Sequence, residues 1–366
     1  MEMKWPHGRW ATAIAVTFAA GITQVHAQSS VQIGGLVSAG VNYTTNVGGS
    51  ASTFMAPAGV WRPNIFFIRG TEDLGGGLKS VFLLSSLFSI ANGGNAGGPG
   101  SMFSRESYVG LSNQWGTLTA GQHRDFMFDL STHGYSGLYF AGRVGGHQGP
   151  FANFGTPYSG GGSGDFDRVN GEQIDNSVKF TSAEHAGLTF GALYGFGGQA
   201  GNFGASSASS FGANYANGPF GLGAAYTMTK DPQLNGGNDG FRNIGIGASW
   251  RPGFWKLAAL ATWSRNTATG GQIAAYDASV GYDFTPAVGA SLTYTYMNGN
   301  QVLQDKHSNQ LAGIVTYNFS KRTTVYLDVS AQRASGPGAM AQIYATPGAS
   351  SSASQVMTSV GVQTVF

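Results

Sequence analysis

From Val356 to Phe366 every second residue is apolar or small and uncharged: Val356, Thr358, Val360, Val362, Thr364 and Phe366. That is the period-2 pattern of a strand with one greasy face. The pattern recurs. SVKFTS (177–182) sets Val178 and Phe180 against Ser177, Lys179 and Thr181, and TTVYLDVSAQ (323–332) sets Val325, Leu327, Val329 and Ala331 against Tyr326, Asp328, Ser330 and Gln332. AAYDASVGYDF (274–284) aligns Tyr276, Ala278, Val280, Tyr282 and Phe284 opposite Asp277, Ser279 and Asp283. Charge is scarce on both faces: Asp, Glu, Lys and Arg make up 10% of the chain, against about 25% in soluble domains. With 13% aromatic residues and 59 glycines, and no apolar run beyond residue 27 long enough for a membrane helix, this composition fits a membrane β-barrel. Its strands turn apolar residues to lipid and polar ones to water.

Two kinds of connection alternate along the chain. Seven are short and rich in turn formers, at 71–77, 112–116, 182–187, 216–220, 250–254, 284–288 and 318–322. Eight are longer and rich in Gly, Ser and Asn, near 44–60, 90–102, 125–172, 198–207, 230–240, 265–271, 299–306 and 335–354. Together they join sixteen antiparallel strands, with both chain ends on the short-turn side. An even number lets VQIGGLVSAGVNY (31–43) pair with the last strand, and closure removes the unpaired edges that lipid forbids. Phe366 then falls at the membrane–water boundary, where aromatic rings prefer to sit.

Residues 1–27 read as a cleavable export signal: Lys4 and Arg9, an apolar run too short to span a bilayer, and small residues ending at Ala27. The remaining segment, 28–366, forms one barrel domain. It carries 17 basic and 16 acidic residues, so it has no basic surplus for nucleic acid. Cysteine is absent, which excludes disulfides and thiolate chemistry.

RGTEDLGGGLKSVF (69–82), SRESYVGLSNQWGTLTAGQ (104–122), DNSVKFTS (175–182) and the terminal Phe366 resemble the Gram-negative general-diffusion porins, the beta-proteobacterial group in particular. The resemblance implies an outer-membrane trimer of 16-stranded barrels with short periplasmic turns, long external loops and a third loop folded inward. It implies a water-filled channel for passive diffusion of small hydrophilic solutes and ions, and a terminal Phe366 read by the barrel-assembly machinery. The residues agree on the third loop, because 125–172 is far longer than its neighbours and such loops are usually functional. It holds Asp125, Asp129, Asp165, Asp167, Arg143 and Arg168, while strand parity directs Arg69, Arg105, Arg124 and Lys179 into the lumen. The expected constriction is therefore Arg69, Arg105, Arg124, Asp125, Asp129 and Lys179, a carboxylate loop facing a basic wall across a narrow aqueous gap. The sequence departs from the family at Ile65, Leu83, Ser85 and Gln173, where Arg, Gln, Glu and Arg are usual. Fewer fixed charges imply weak selectivity leaning to anions.

Other chemistries find little support. The seven histidines form no i, i+2 or i+4 pair for a metal, and no cofactor motif stands out. GGGLKS (75–80) lacks the Gly before Lys79 that a phosphate loop needs. A barrel enzyme requires a nucleophile beside an oriented base, and no G-x-S-x-G elbow is present; the alternatives of a substrate-specific channel, a barrel enzyme and a soluble sandwich are disfavoured. Trp61, Trp115, Trp250, Trp255, Phe220 and Phe254 sit near strand ends, as an interfacial girdle would place them.

Overall fold

The computed structural model describes residues 29–96, 100–155 and 166–366. The expected export segment 1–27 and Asp165 lie outside the described residues. One antiparallel sheet runs from β1 (Ser30–Val47) through β2 (Ser50–Phe54), β3 (Ile65–Gly75), β4 (Leu78–Leu87), β5 (Glu106–Asn113), β6 (Gly116–Arg124), β7 (Gln173–Ser182), β8 (Leu188–Gly195) and β9 (Ala208–Asn217). It continues through β10 (Phe220–Lys230), β11 (Gly240–Trp250), β12 (Trp255–Asn266), β13 (Gln272–Asp283), β14 (Val288–Gly299), β15 (His307–Asn318), β16 (Thr323–Ser335) and β17 (Ser354–Val365). β1 and β17 pair from Leu36↔Val365 to Thr44↔Met357 and close the barrel.

Seventeen strands make sixteen staves because β2 and β3 share one. β2 lies along Asn42–Val47 of β1, and β3 along Ser30–Leu36. The first long loop, expected over 44–60, is therefore partly strand: YTTNV keeps its β-branched alternation to Val47, and Gly48 and Gly49, both at positive φ, turn the chain back into β2. Residues 55–64 then leave the sheet for the barrel interior, where Ala56 and Val60 are buried with Ile314 and Tyr326. Trp61 goes with them, 5.5 Å from the Tyr326 ring. It is an interior residue, not part of a girdle.

The seven short turns fall where the turn formers place them. Burial along β16 alternates as the pattern requires: Tyr326, Asp328, Ser330 and Gln332 are buried while Leu327 and Val329 are exposed. Exposed apolar and buried polar residues are the reverse of a soluble domain, and are what lipid outside and a filled lumen inside demand. Aromatic rings collect at the short-turn end, with Phe220 stacked on Trp250 at 6.1 Å and Tyr282 meeting Trp255 at 4.7 Å and Phe284 at 5.0 Å. At the seam Gly35 and Phe366 exchange two 3.1 Å backbone hydrogen bonds. A Cβ at Gly35 would come 2.6 Å from the Phe366 ring, so the ring lies over the glycine.

Candidate pore constriction

The long segment after β6 folds into the lumen. Asp125 caps the helix α1 (Phe126–Thr132), its carboxylate accepting from the amides of Met127 at 3.1 Å and Phe128 at 3.4 Å. The buried face of α1, Phe126, Met127 and Leu130, presses on the wall at β9–β11, where the inward positions are glycines. A Cβ at Gly212 would lie 2.5 Å from Phe126, and one at Gly245 2.4 Å from Leu130; Gly247 likewise clears Tyr135 at 2.5 Å. The stripe of glycines is the imprint of the loop on the wall.

The chain then crosses to the far wall. In α2 (Gly137–Ala141) the amide of Gly137 donates to Asp277 Oδ2 at 2.8 Å. His147 spans two carboxylates, Nδ1 to Asp167 Oδ2 at 2.6 Å and Nε2 to Asp277 Oδ1 at 2.8 Å. The hydroxyls of Thr262 and Thr295 donate to the same two carboxylate oxygens at 2.7 and 2.6 Å. Burial works against a charge on His147, but the two carboxylates outweigh it and hold the imidazole well above its ordinary range, so it is protonated at neutral pH. Gln310 Nε2 donates to the carbonyls of Val144 and Gly146, and Asn243 and Asn266 to those of Phe166 and Phe154. The wall's side of these bonds, Asp277, Thr262, Thr295, Gln310, Asn243 and Asn266, consists of inward strand residues, while Asp167 belongs to the loop itself.

Loop 3 thus covers the wall from β9 to β16 and leaves the arc of β3–β7 facing the gap. On that arc Arg69 is held by Gln32 Oε1, at 2.9 Å from Nε and 2.6 Å from Nη2. Lys179 Nζ donates to the Arg124 carbonyl at 2.9 Å and lies 4.4 Å over the Phe126 ring. The guanidiniums of Arg124 and Arg105 both stack on Phe128, at 4.3 and 5.6 Å, and Arg124 Nη1 also donates to the Asn170 carbonyl at 2.8 Å. Burial, then the charge of Arg124, bring Arg105 down to about 9 against the pull of Glu106. Asp129 borders a cavity of about 230 Å³ with His133, Thr181 and Asn214. Burial pushes its carboxyl up, opposed by Lys179 and His133. Burial likewise raises Glu172 against Arg168 and Arg124.

Two expectations change. Asp125 is fully buried, with one oxygen on the helix amides and the other on Arg168 Nε; an N-cap carboxylate at the strand–helix corner has no face left for solute. Arg105 reaches the loop, yet not by strand parity. Ser85, itself inward, pairs with Glu106, so Glu106 is the inward residue and Arg105 turns in because it precedes the first regular residue of β5. Glu106, Glu172 and the Asp167–His147–Asp277 bridge were missed by sequence reasoning, as was Arg62, which rides on Trp61 at 5.1 Å into the lumen. Among the described residues no three His, Cys, Asp or Glu side chains gather to hold a metal.

A family described as Gram-negative porin matches residues 11–337. The outer membrane porin protein 32 of Delftia acidovorans is 28% identical over 362 residues, spanning 97% of this chain and 98% of its own. An outer membrane porin protein of Bordetella pertussis is 28% identical over 291 residues, 71% of each chain. Among solved structures, an anion-selective porin from Comamonas acidovorans superposes with a TM-score of 0.73 at 21% identity, covering 93% of this chain and all of that one. The OmpF of Salmonella typhi superposes at 0.61 with 16% identity, over 92% and 97%. With a closed barrel, a loop folded across its lumen and a family match over most of its length, this chain belongs to the Gram-negative porins: it is an outer-membrane channel, not an enzyme, through which small hydrophilic solutes and ions diffuse passively.

Proposed function

We propose that the pore is weakly selective and leans to anions, with Arg69, Arg105, Arg124 and Lys179 on one side of the constriction and Asp129 on the other. The observation that carries this reading is the pairing of Asp125 with Arg168, which takes a carboxylate out of the gap while Arg69, Arg105 and Lys179 stay on the uncovered arc, with Arg124 buried behind them against Phe128. Burial raises the Asp129 and Glu172 carboxyls against the cations beside them, and Glu106 opposes the lean. The Comamonas porin with the same fold is described as anion-selective, which agrees in direction. Reversal potentials across a planar bilayer in a KCl gradient test it: chloride preference of severalfold is expected, falling at high salt as screening shortens below about 10 Å. Cation preference would overturn it. The assembly is a trimer in this reading, as one Vibrio cholerae relative is described; residues 1–27 direct export, and the barrel-assembly machinery reads Phe366.

A further inference from the structure

On the inner wall at the seam, Asn42 of β1, Ser359 of β17 and Asp328 of β16 stand directly opposite one another in successive strand pairs. All three are at most 1% exposed. Both amide atoms of Asn42 make no hydrogen bond among the described residues, nor do the hydroxyls of Ser330 and Thr44, one rung further along; the Asp328 carboxylate has only the Ser359 hydroxyl beside it as a side-chain donor. Asp328 enters no ion pair among the described residues. Its surroundings offer no compensation: Ile314 is its partner on β15, and the inward segment lays Ala56 and Val60 against Ile314 and Tyr326.

Buried polar atoms are nearly always satisfied, and a buried carboxylate needs a proton or a cation. One orphan is a local defect. A buried carboxylate with one serine hydroxyl for a donor, beside the orphaned Asn42, Thr44 and Ser330 on the same inner face, makes an oxygen-rich ligand set. We propose that Asp328, Asn42 and Ser359 bind a dehydrated monovalent cation, sodium for preference, with Ser330 and Thr44 at its rim. Asp328 and Asn42 flank Ser359, each about 5 Å from it on either side, so a cation in front of the serine is within side-chain reach of both; sodium, close to calcium in radius, takes oxygen ligands at about 2.3–2.6 Å. A single carboxylate with neutral oxygens matches one positive charge; a divalent ion would be left half-compensated. The cation neutralises the wall behind the inward segment 55–64 and braces the seam where β2 and β3 break their stave.

The test uses the assembled porin. Its heat-modifiable transition is measured in sodium chloride and in choline chloride at equal ionic strength, and crystals soaked in a thallium(I) salt are searched for anomalous density. Sodium should raise the wild-type midpoint by about 3 °C or more, Ser359→Ala should reduce that dependence, and Asp328→Asn should abolish it. A thallium peak is expected between Asp328 and Asn42. Equal wild-type midpoints in the two salts, or water-level density at that point, would mean that Asp328 carries a proton and that the site does not exist. Both readouts on wild type stand even where Asp328→Asn fails to assemble.

Discussion

Replacing His147 with glutamine should loosen loop 3 without unfolding the barrel. The imidazolium is fully buried between Asp167 and Asp277 at 2.6 and 2.8 Å, and Gln cannot donate at both ends or carry the charge. Each charge-assisted bond contributes about 1.5–3 kcal/mol, and taking away one partner of a buried ion pair costs about 3–5 kcal/mol because the remaining charge is uncompensated. For the equilibrium between docked and undocked loop, about 4 kcal/mol is roughly a thousandfold. An undocked fraction too small to see in wild type then becomes visible. Single-channel records of the variant should show frequent excursions to other conductance levels, with the heat-modifiable barrel band intact.

The pH dependence has a definite sign. The folded pKa of His147 lies above its ordinary value of 6.5, so the stabilisation is complete below the unfolded pKa, persists through neutrality and is lost as pH rises through the raised folded value. Wild-type channels should stay quiet from pH 6 through neutrality and become noisy only on the alkaline side; in His147→Gln the noise should be present throughout and lack that alkaline onset. A variant indistinguishable from wild type at neutral pH would refute the bridge as the anchor.

Gly245→Val should displace Leu130, since even a Cβ there stands 2.4 Å from it, and conductance should change by tens of per cent, while Gly253→Asn at an open turn position, where nothing lies within 4 Å and φ is +59°, a conformation asparagine accepts, leaves conductance alone. Asp125→Asn keeps a cap but takes the Asp125 carboxylate away from Arg168, so conductance noise should rise and anion preference should strengthen; an unchanged channel would mean the pair does not form. Deleting residues 140–155 removes α2's end and the Gln310 contacts and should raise conductance and the solute size cutoff, measured by liposome swelling. Deleting Phe366 removes the ring over Gly35 and two seam hydrogen bonds, so outer-membrane trimer should fall severalfold while surviving channels conduct normally.

How far the sequence could be read follows from where its periodicity holds. Strands carry their own ruler: one residue of slip sends every side chain to the wrong face, so Tyr326, Asp328, Ser330 and Gln332 could be placed inward from spacing alone. Turns are equally legible, because Gly76, Gly116 and Gly218 sit at positive φ that few other residues accept. The ruler fails one residue outside a strand. Arg105 is such a residue, and reading it on the parity of β5 gave the right side of the wall for the wrong reason while hiding Glu106.

Loop 3 has no period at all, yet its seat was written elsewhere in the chain. Among the strands β9–β11 the inward positions 212, 223, 245 and 247 are glycine, where a water-lined wall would tolerate any polar residue; glycine there means that another chain comes within side-chain distance. The matching signal on the far wall is the run of inward amides and acids, Asp277, Gln310, Gln332 and Gln355, which answer carbonyls, amides and an imidazole of the interior loops. Inward-facing charge in a porin therefore divides into two kinds that sequence position alone does not separate. Charges matched by a loop fix the loop, as Asp277 does through His147, and charges on the uncovered arc, such as Arg69 and Lys179, are the ones on which the proposed selectivity rests. Asp125 belongs to the first kind because helix geometry makes it a cap, and under the proposed selectivity the carboxylate it withdraws from the gap is what leaves the balance leaning to anions.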